Sequence, residues 1–225
     1  MTTPITAAHT PLKSRLNLPD LKVSSRVLKQ HFDHQHRLRL DPIPNPHQLN
    51  ETPTRPLKQA AVLIPIIRDQ GPLRIIITKR SQRLRKHPGQ NAFPGGRRDP
   101  DDASLLATAL RETEEEIGLT ANQIEVLGQL GRYQSASGYD ITPFVGFVNT
   151  PFKLSLNPAE VQTTGEIPLQ YVLQNNSYER RRRGPNEWYY CLEYNQHYIS
   201  GPTVAMMLGF YQELTVNMPA ANISG

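Results

Sequence analysis

The chain carries a single cysteine, Cys191, in 225 residues. One thiol excludes an intramolecular disulfide and argues against a cysteine-based metal site. No apolar run approaches the roughly 20 residues that span a bilayer. The start, Met1-Thr2-Thr3-Pro4, has no basic stretch followed by an apolar one, so no secretory signal is expected. The last residues, Asn222-Ile223-Ser224-Gly225, match no lipidation or address tail. No internal repeat is visible. These lacks together predict a cytoplasmic protein with no membrane partner.

What the chain does contain is ordinary in bulk and uneven in distribution. With 37% hydrophobic and 20% charged residues it reads as a globular protein, either one large domain or one domain with an appendage. A net charge of +5 and a pI near 9.4 suit an anionic partner. Basic residues gather at Lys79 to Lys86, at Arg97-Arg98 and at Arg180 to Arg183, while acids concentrate between Asp99 and Glu116. An acidic patch flanked by basic segments fits a cation-plus-phosphate site better than a uniformly basic surface does.

Residues 1–55 are rich in proline and weakly patterned, and predict a partly helical N-terminal extension and linker. Val23, Val27, Leu28 and Phe32 share one side of a short helix. The run from Asp41 to Pro46 must be extended or turned, because each proline restricts its predecessor. The domain proper is expected over 56–225. Ala60 to Ile67 predicts a buried strand with an edge or bulge at Pro65. The turn Asp69-Gln70-Gly71-Pro72 joins it to a second strand, Leu73 to Thr78, as a hairpin. Beyond a Gly/Pro-rich loop, Asp101 or Asp102 caps a helix over 103–117 that Gly118 stops. Strands are expected at 124–133, 141–149 and 188–199, and a closing helix at 203–214. This pattern indicates a layered α/β or α+β domain.

On the helix over 103–117, Leu106, Leu110 and Ile117 form a core-facing stripe, while Glu112, Glu115 and Glu116 converge on an adjacent face. Like charges at these spacings repel by roughly 0.2–0.5 kcal/mol per pair. They also sit at the negative end of the helix dipole. A bound hard cation such as Mg²⁺ turns both penalties into attractions. The bland alternative is a solvated glutamate face, since glutamate is a good helix former. The loop Phe93-Pro94-Gly95-Gly96 before the helix favours the cation, because its glycines permit close backbone approach.

The stretch from Gly96 to Leu119 resembles the Nudix box, G-x5-E-x7-R-E-U-x-E-E-x-G-U with U a bulky aliphatic residue. Arg111-Glu112-Thr113-Glu114-Glu115-Glu116-Ile117-Gly118-Leu119 matches its second half, with Thr113 at an aliphatic position. In the first half the expected glutamate falls on Ala103, leaving Asp99 and Asp102 as candidates for the first acid. A second motif runs through Ile76-Ile77-Thr78-Lys79-Arg80, Leu84 to Gln90 and Phe93-Pro94-Gly95-Gly96. It resembles the signature of the Nudix coenzyme A pyrophosphatases, as do the segments at 60–65 and 139–146. Asn91 stands where an aliphatic residue is usual, and Ser200-Gly201-Pro202-Thr203 replaces an aromatic-Gly-x-Thr.

The resemblance implies a Nudix-like α/β/α sandwich with a mixed sheet. It also implies metal-dependent hydrolysis of the pyrophosphate bond of coenzyme A or its thioesters. Divalent metals assist such hydrolysis by neutralising phosphate oxygens, acidifying water and orienting the leaving group. Glu112, Glu115 and Glu116 are the expected ligands of Mg²⁺ or Mn²⁺, and Arg111 is expected to orient a carboxylate by a bidentate pair. Glu160 is the candidate for a further base or ligand, with an ordinary surface glutamate as the alternative. Arg80, Arg85 and Lys86 are candidate phosphate contacts, His87 either donates to phosphate or orders its loop, and Gly95 and Gly96 flank the substrate. A homodimer is left open.

Arg180 to Arg183 invites a nucleic-acid reading, against which the adjacent Gly184-Pro185-Asn186 argues for a solvated loop. Rival functions are another Nudix substrate (ADP-ribose, a dinucleotide or a capped RNA), a non-catalytic nucleotide or RNA-binding module, and a scaffold acting through residues 1–55.

Overall fold

The structure is a computed structural model, and it describes residues 18–35, 56–184, 188–217 and 223–224. The expected proline run at 41–46 and the turn at Pro185-Asn186 lie outside them. In chain order the elements are β1 (Asp20–Leu21), α1 (Ser25–Gln35), β2 (Lys58–Arg68), β3 (Arg74–Arg80), β4 (Asn91–Ala92) and β5 (Gly95–Arg97). Then come α2 (Leu105–Ile117), β6 (Ile124–Gln129), β7 (Tyr133–Gln134), β8 (Tyr139–Asn149), β9 (Val161–Pro168) and α3 (Leu169–Val172). The chain closes with β10 (Tyr178–Arg182), β11 (Trp188–Tyr194), β12 (His197–Ser200), α4 (Gly201–Asn217) and β13 (Ile223–Ser224).

The main sheet is mixed. Its central path runs β4-β3-β2-β8-β6, with β5 added to β2, β7 to β8 and β9 to β3. β2 and β8 are parallel over their whole lengths, Lys58 facing Tyr139 and Arg68 facing Asn149. Strand periodicity assigns the two faces. Ile64, Ile66, Ile75, Ile77, Val145 and Phe147 belong to one apolar cluster, which buries most of α4. Ala61, Leu63, Ile67, Ile76, Phe144 and Val148 belong to the other, against α2. Helices cover both faces of a mixed sheet, the sandwich the resemblance implies.

Several local expectations are corrected. β2 is an interior strand, and Pro65 sits not at an outer edge or a bulge but at a local break in pairing on one side. The Leu63 N–H donates to Pro94 O at 2.9 Å, so odd-numbered N–H groups point to the side shared by β5 and β3. β5 pairs β2 at residues 60–62 and β3 pairs it at 66–67, so the proline falls in the gap between them. The predicted hairpin exists only at its turn; over its length β3 pairs instead with β9. The strand expected at 188–199 is two, β11 and β12, folded back at Asn195 with φ 51°. Arg180 to Arg182 form strand rather than loop: Arg180 and Arg182 lie over the Trp188 ring, and Arg181 pairs with Glu179 and Glu193. The cap of α2 is Ser104, whose hydroxyl accepts from the Ala107 N–H at 3.1 Å, and Asp102 is released for another task.

The described part of the N-terminal extension packs into the main core. Leu21, Leu28 and Phe32 are buried there, and Phe32 lies where a side chain on Gly128 would be. The Leu21 N–H donates to Leu173 O, the Tyr211 hydroxyl donates to Pro19 O, and Lys29 pairs with Glu125. No helix among the described residues is long and apolar enough to cross a membrane.

A candidate metal-binding active site

α2 carries the acids. Its apolar residues Ala109 and Ile117 bury against β2 and β8, turning Glu112 and Glu116 towards β5. Thr113, at the aliphatic position, is fully buried, and its hydroxyl is satisfied by the Ala109 carbonyl at 2.6 Å. Gly118 stops the helix at φ 75°, its N–H donating to Glu114 O. The chain then returns alongside: the Ser155 N–H donates to Ile117 O and the Asn157 N–H to Glu116 O. This return delivers Glu160 to the helix.

Glu112, Glu116 and Glu160 each present a carboxylate oxygen within 4.8 Å of the others. Three oxygen donors of this kind suit a hard divalent cation rather than a thiolate-seeking metal. Each is held separately. The Gly95 N–H donates to Glu116 Oε2 at 3.3 Å, and Arg80 Nη1 stands 3.7 Å from Glu116 Oε1. Asn157 Nδ2 donates to Glu160 Oε1 at 3.2 Å, while Asn157 Oδ1 accepts from the Ala159 N–H. Asn157 was not singled out in the sequence; the Asn-Pro turn signal was its only trace.

Burial pushes Glu116 up to about 8, with Glu160 and Glu112 raising it further and Arg80 and the Gly95 N–H opposing. Burial also raises Glu112, opposed by Arg111. Two raised carboxyls in one cluster mark a place where positive charge is wanted.

Arg111 makes its bidentate pair with Asp102, Nε to Oδ1 at 2.9 Å and Nη2 to Oδ2 at 3.0 Å. Its Nη1 reaches Glu112 at 2.9 Å and Glu115 at 3.1 Å. Asp102 also accepts from the Thr108 hydroxyl and the Asp99 N–H, each at 2.9 Å. Of the two candidates for the first acid, Asp102 is therefore the anchor of Arg111, and Asp99 lies exposed 3.9 Å from the same guanidinium. Glu115 stands apart from the three clustered carboxylates, half-exposed on Arg111.

The Asp102 carboxyl is held well below the usual carboxylate range by the Arg111 donors. A value lowered on folding contributes stability that is complete above about pH 4 and lost as the pH falls through the lowered value. Asp102→Asn is expected to reduce stability by about 2 kcal/mol, roughly 4–8 °C in Tm, and to flatten the acid limb of Tm against pH. An unchanged acid limb in thermal melts from pH 3 to 7 would contradict this role.

The basic segment opens from the same place. β3 and β9 slip register between Lys79, opposite Thr163, and Arg80, opposite Val161. Beyond the slip the Ser81 N–H donates to Glu160 O at 2.7 Å, so Arg80 and Glu160 emerge side by side. Arg85, Lys86 and His87 lie exposed on the loop that follows, with His87 at φ 54°. Asn91 is buried and bonded, its Nδ2 to Tyr198 O at 2.8 Å and its Oδ1 facing His197 Nδ1 at 3.2 Å. The Thr203 hydroxyl donates to Asn91 O. The Asn91 side chain thus ties β4 to β12, and its carbonyl ties β4 to α4.

Three carboxylates converge beside a helix set against a mixed sheet, an arrangement that could hold a divalent cation. The family model for the NUDIX domain matches residues 57–170. The chain is 41% identical to an uncharacterized Nudix hydrolase, NudL, of Photorhabdus laumondii over 187 residues, 82% of this chain and 97% of that protein. With NudL of Yersinia pestis the identity is 42% over 162 residues, 71% of this chain and 81% of that one. A solved MutT/nudix family protein from Enterococcus faecalis aligns with TM-score 0.49 and 13% identity, over 86% of this chain and 75% of that one. The chain belongs to the Nudix hydrolase family.

Proposed function

We propose that the protein hydrolyses the pyrophosphate bond of coenzyme A or its thioesters, releasing 3′,5′-ADP and the (acyl-)4′-phosphopantetheine fragment. The observation that carries this reading is the junction of two features. The carboxylate cluster of Glu112, Glu116 and Glu160 adjoins the Lys79–Gln90 segment, whose pattern resembles that of coenzyme A pyrophosphatases.

Glu112 and Glu116 would hold Mg²⁺ or Mn²⁺, with Glu160 completing the set or taking the proton of the attacking water. The bound cation would supply charge neutralisation at the pyrophosphate and acidify water. The chain does the rest by positioning. Arg111, fixed by Asp102, steadies Glu112, and the Gly95 N–H steadies Glu116. Arg80 offers a guanidinium at the cluster's edge for a phosphate oxygen. Water adds to one phosphorus, the bridging P–O bond breaks, and the proton passes to a carboxylate.

The test is turnover of coenzyme A, an acyl-coenzyme A, ADP-ribose, a dinucleotide polyphosphate and capped RNA with Mg²⁺ or Mn²⁺. Coenzyme A or its thioester is expected to exceed the others in kcat/KM by at least about tenfold, the step worth ~1.4 kcal/mol of transition-state binding. Equal turnover of ADP-ribose would remove the substrate assignment. Salt-sensitive binding without any turnover would favour the non-catalytic module instead.

A further inference from the structure

Lys58, Gln59, Arg97, Arg98, Asp99 and Pro100 line a pocket of about 310 Å³. Three cations face one carboxylate there. Arg98 is fixed without being neutralised: its Nη1 donates to Gln59 Oε1 at 2.9 Å and its Nη2 to Asp102 O at 3.1 Å, both uncharged acceptors. Its backbone N–H also donates to Gln59 O. Lys58 and Arg97 are exposed, and among the described residues no carboxylate is seen to pair with either side chain. The charge of Asp99 is shared with Arg111 at 3.9 Å.

The pocket communicates with the acid cluster through one guanidinium. Arg111 Nη2 donates to Arg97 O at 3.4 Å, while its Nη1 holds Glu112. An oriented arginine fork beside a second arginine and a lysine matches a phosphate dianion, and the excess charge is of the right size. The volume sits at the small end of ligand pockets, enough for a phosphate and part of its sugar. Arg85 and Lys86 offer charge as well, but from an exposed loop.

We infer that this pocket binds a phosphate monoester of the nucleotide substrate, separate from the pyrophosphate that is cleaved. The inference rests on the reading of the protein as a coenzyme A pyrophosphatase, whose substrate carries such a group at the ribose 3′ position.

The experiment is calorimetric titration of the full chain, with Mg²⁺, by adenosine 3′,5′-bisphosphate and by adenosine 5′-monophosphate. The bisphosphate is expected to bind about tenfold tighter, as one charge-assisted phosphate contact allows. In the double variant Lys58→Gln, Arg97→Gln that ratio falls to near one, with the monophosphate affinity and the thermal melt unchanged. Arg97→Lys, with Lys58 kept, retains part of it. A ratio that survives the double variant, or is absent from the wild type, overturns the site. Inorganic phosphate competing as well as the bisphosphate overturns the link to substrate and leaves a free-phosphate site. If coenzyme A is not hydrolysed but the ratio responds to the variants, the pocket stands and the substrate reading falls. If coenzyme A is hydrolysed and the ratio ignores the variants, the reverse holds.

Discussion

Glu116→Gln is expected to lower kcat by about a thousandfold or more, ~4 kcal/mol of barrier, while the folded structure persists. The side chain is 3% exposed, the most buried of the three clustered carboxylates, and its loss leaves a prospective cation with two of them. The amide is isosteric and removes a charge that burial disfavours. Because the folded value is raised to about 8, Glu116 favours the folded state at pH below its ordinary 4.5, and this contribution is lost as pH rises through 8. The variant in chelator is therefore expected to melt with the wild type near pH 4 and above it at pH 8. The same proton opposes the cation. Apparent Mg²⁺ affinity of the wild type should weaken by up to about tenfold per unit as pH falls below 8, with proton release detectable by calorimetry in two buffers. A Glu116→Gln protein keeping a tenth of its activity, or unfolding in chelator, would remove Glu116 from the centre of the site.

The neighbouring glycines of β5 are expected to fail in opposite ways. An added methyl on Gly96 would overlap the Glu112 carboxylate, the free end of a flexible side chain. Gly96→Ala should therefore fold and melt near the wild type, with Glu112 displaced and kcat reduced by roughly a hundredfold. Gly95 has φ 151°, and its methyl would meet Ala61 O and Val62 Cα in the backbone of β2. That strand is buried in the middle of the sheet and cannot yield. Gly95→Ala should lose about 3 kcal/mol or more of stability, activity falling with the folded fraction. Melting curves beside specific activity separate the two cases; a Gly96→Ala protein as active as the wild type would show that Glu112 does not need its present place.

The acidic helix, its glycine stop and the strands β2 and β8 were legible along the chain, since each depends on a local period or cap. Arg111 needing a carboxylate partner was legible too, but the partner was not, because Asp102 was equally good as a helix cap until Ser104 took that place. β9 escaped notice because Gln162-Thr163-Thr164-Gly165 offers little apolar alternation. Its strand character comes from pairing with β3, a contact about 90 residues distant in register at Arg74 and Pro168. The N-terminal segment read as an appendage because its few apolar residues find their partners far along the chain, Leu21 at Leu173 and Phe32 at Gly128 and Phe210. Glu112 and Glu116 are neighbours on any helix of this sequence. Glu160 joins them through the Gly118 stop, the Asn157 turn and the β3–β9 register slip, and Glu115 is drawn aside by Arg111. Helical spacing relates residues three and four apart, whereas a cation site is a distance between oxygens, and those distances are set by how the elements pack.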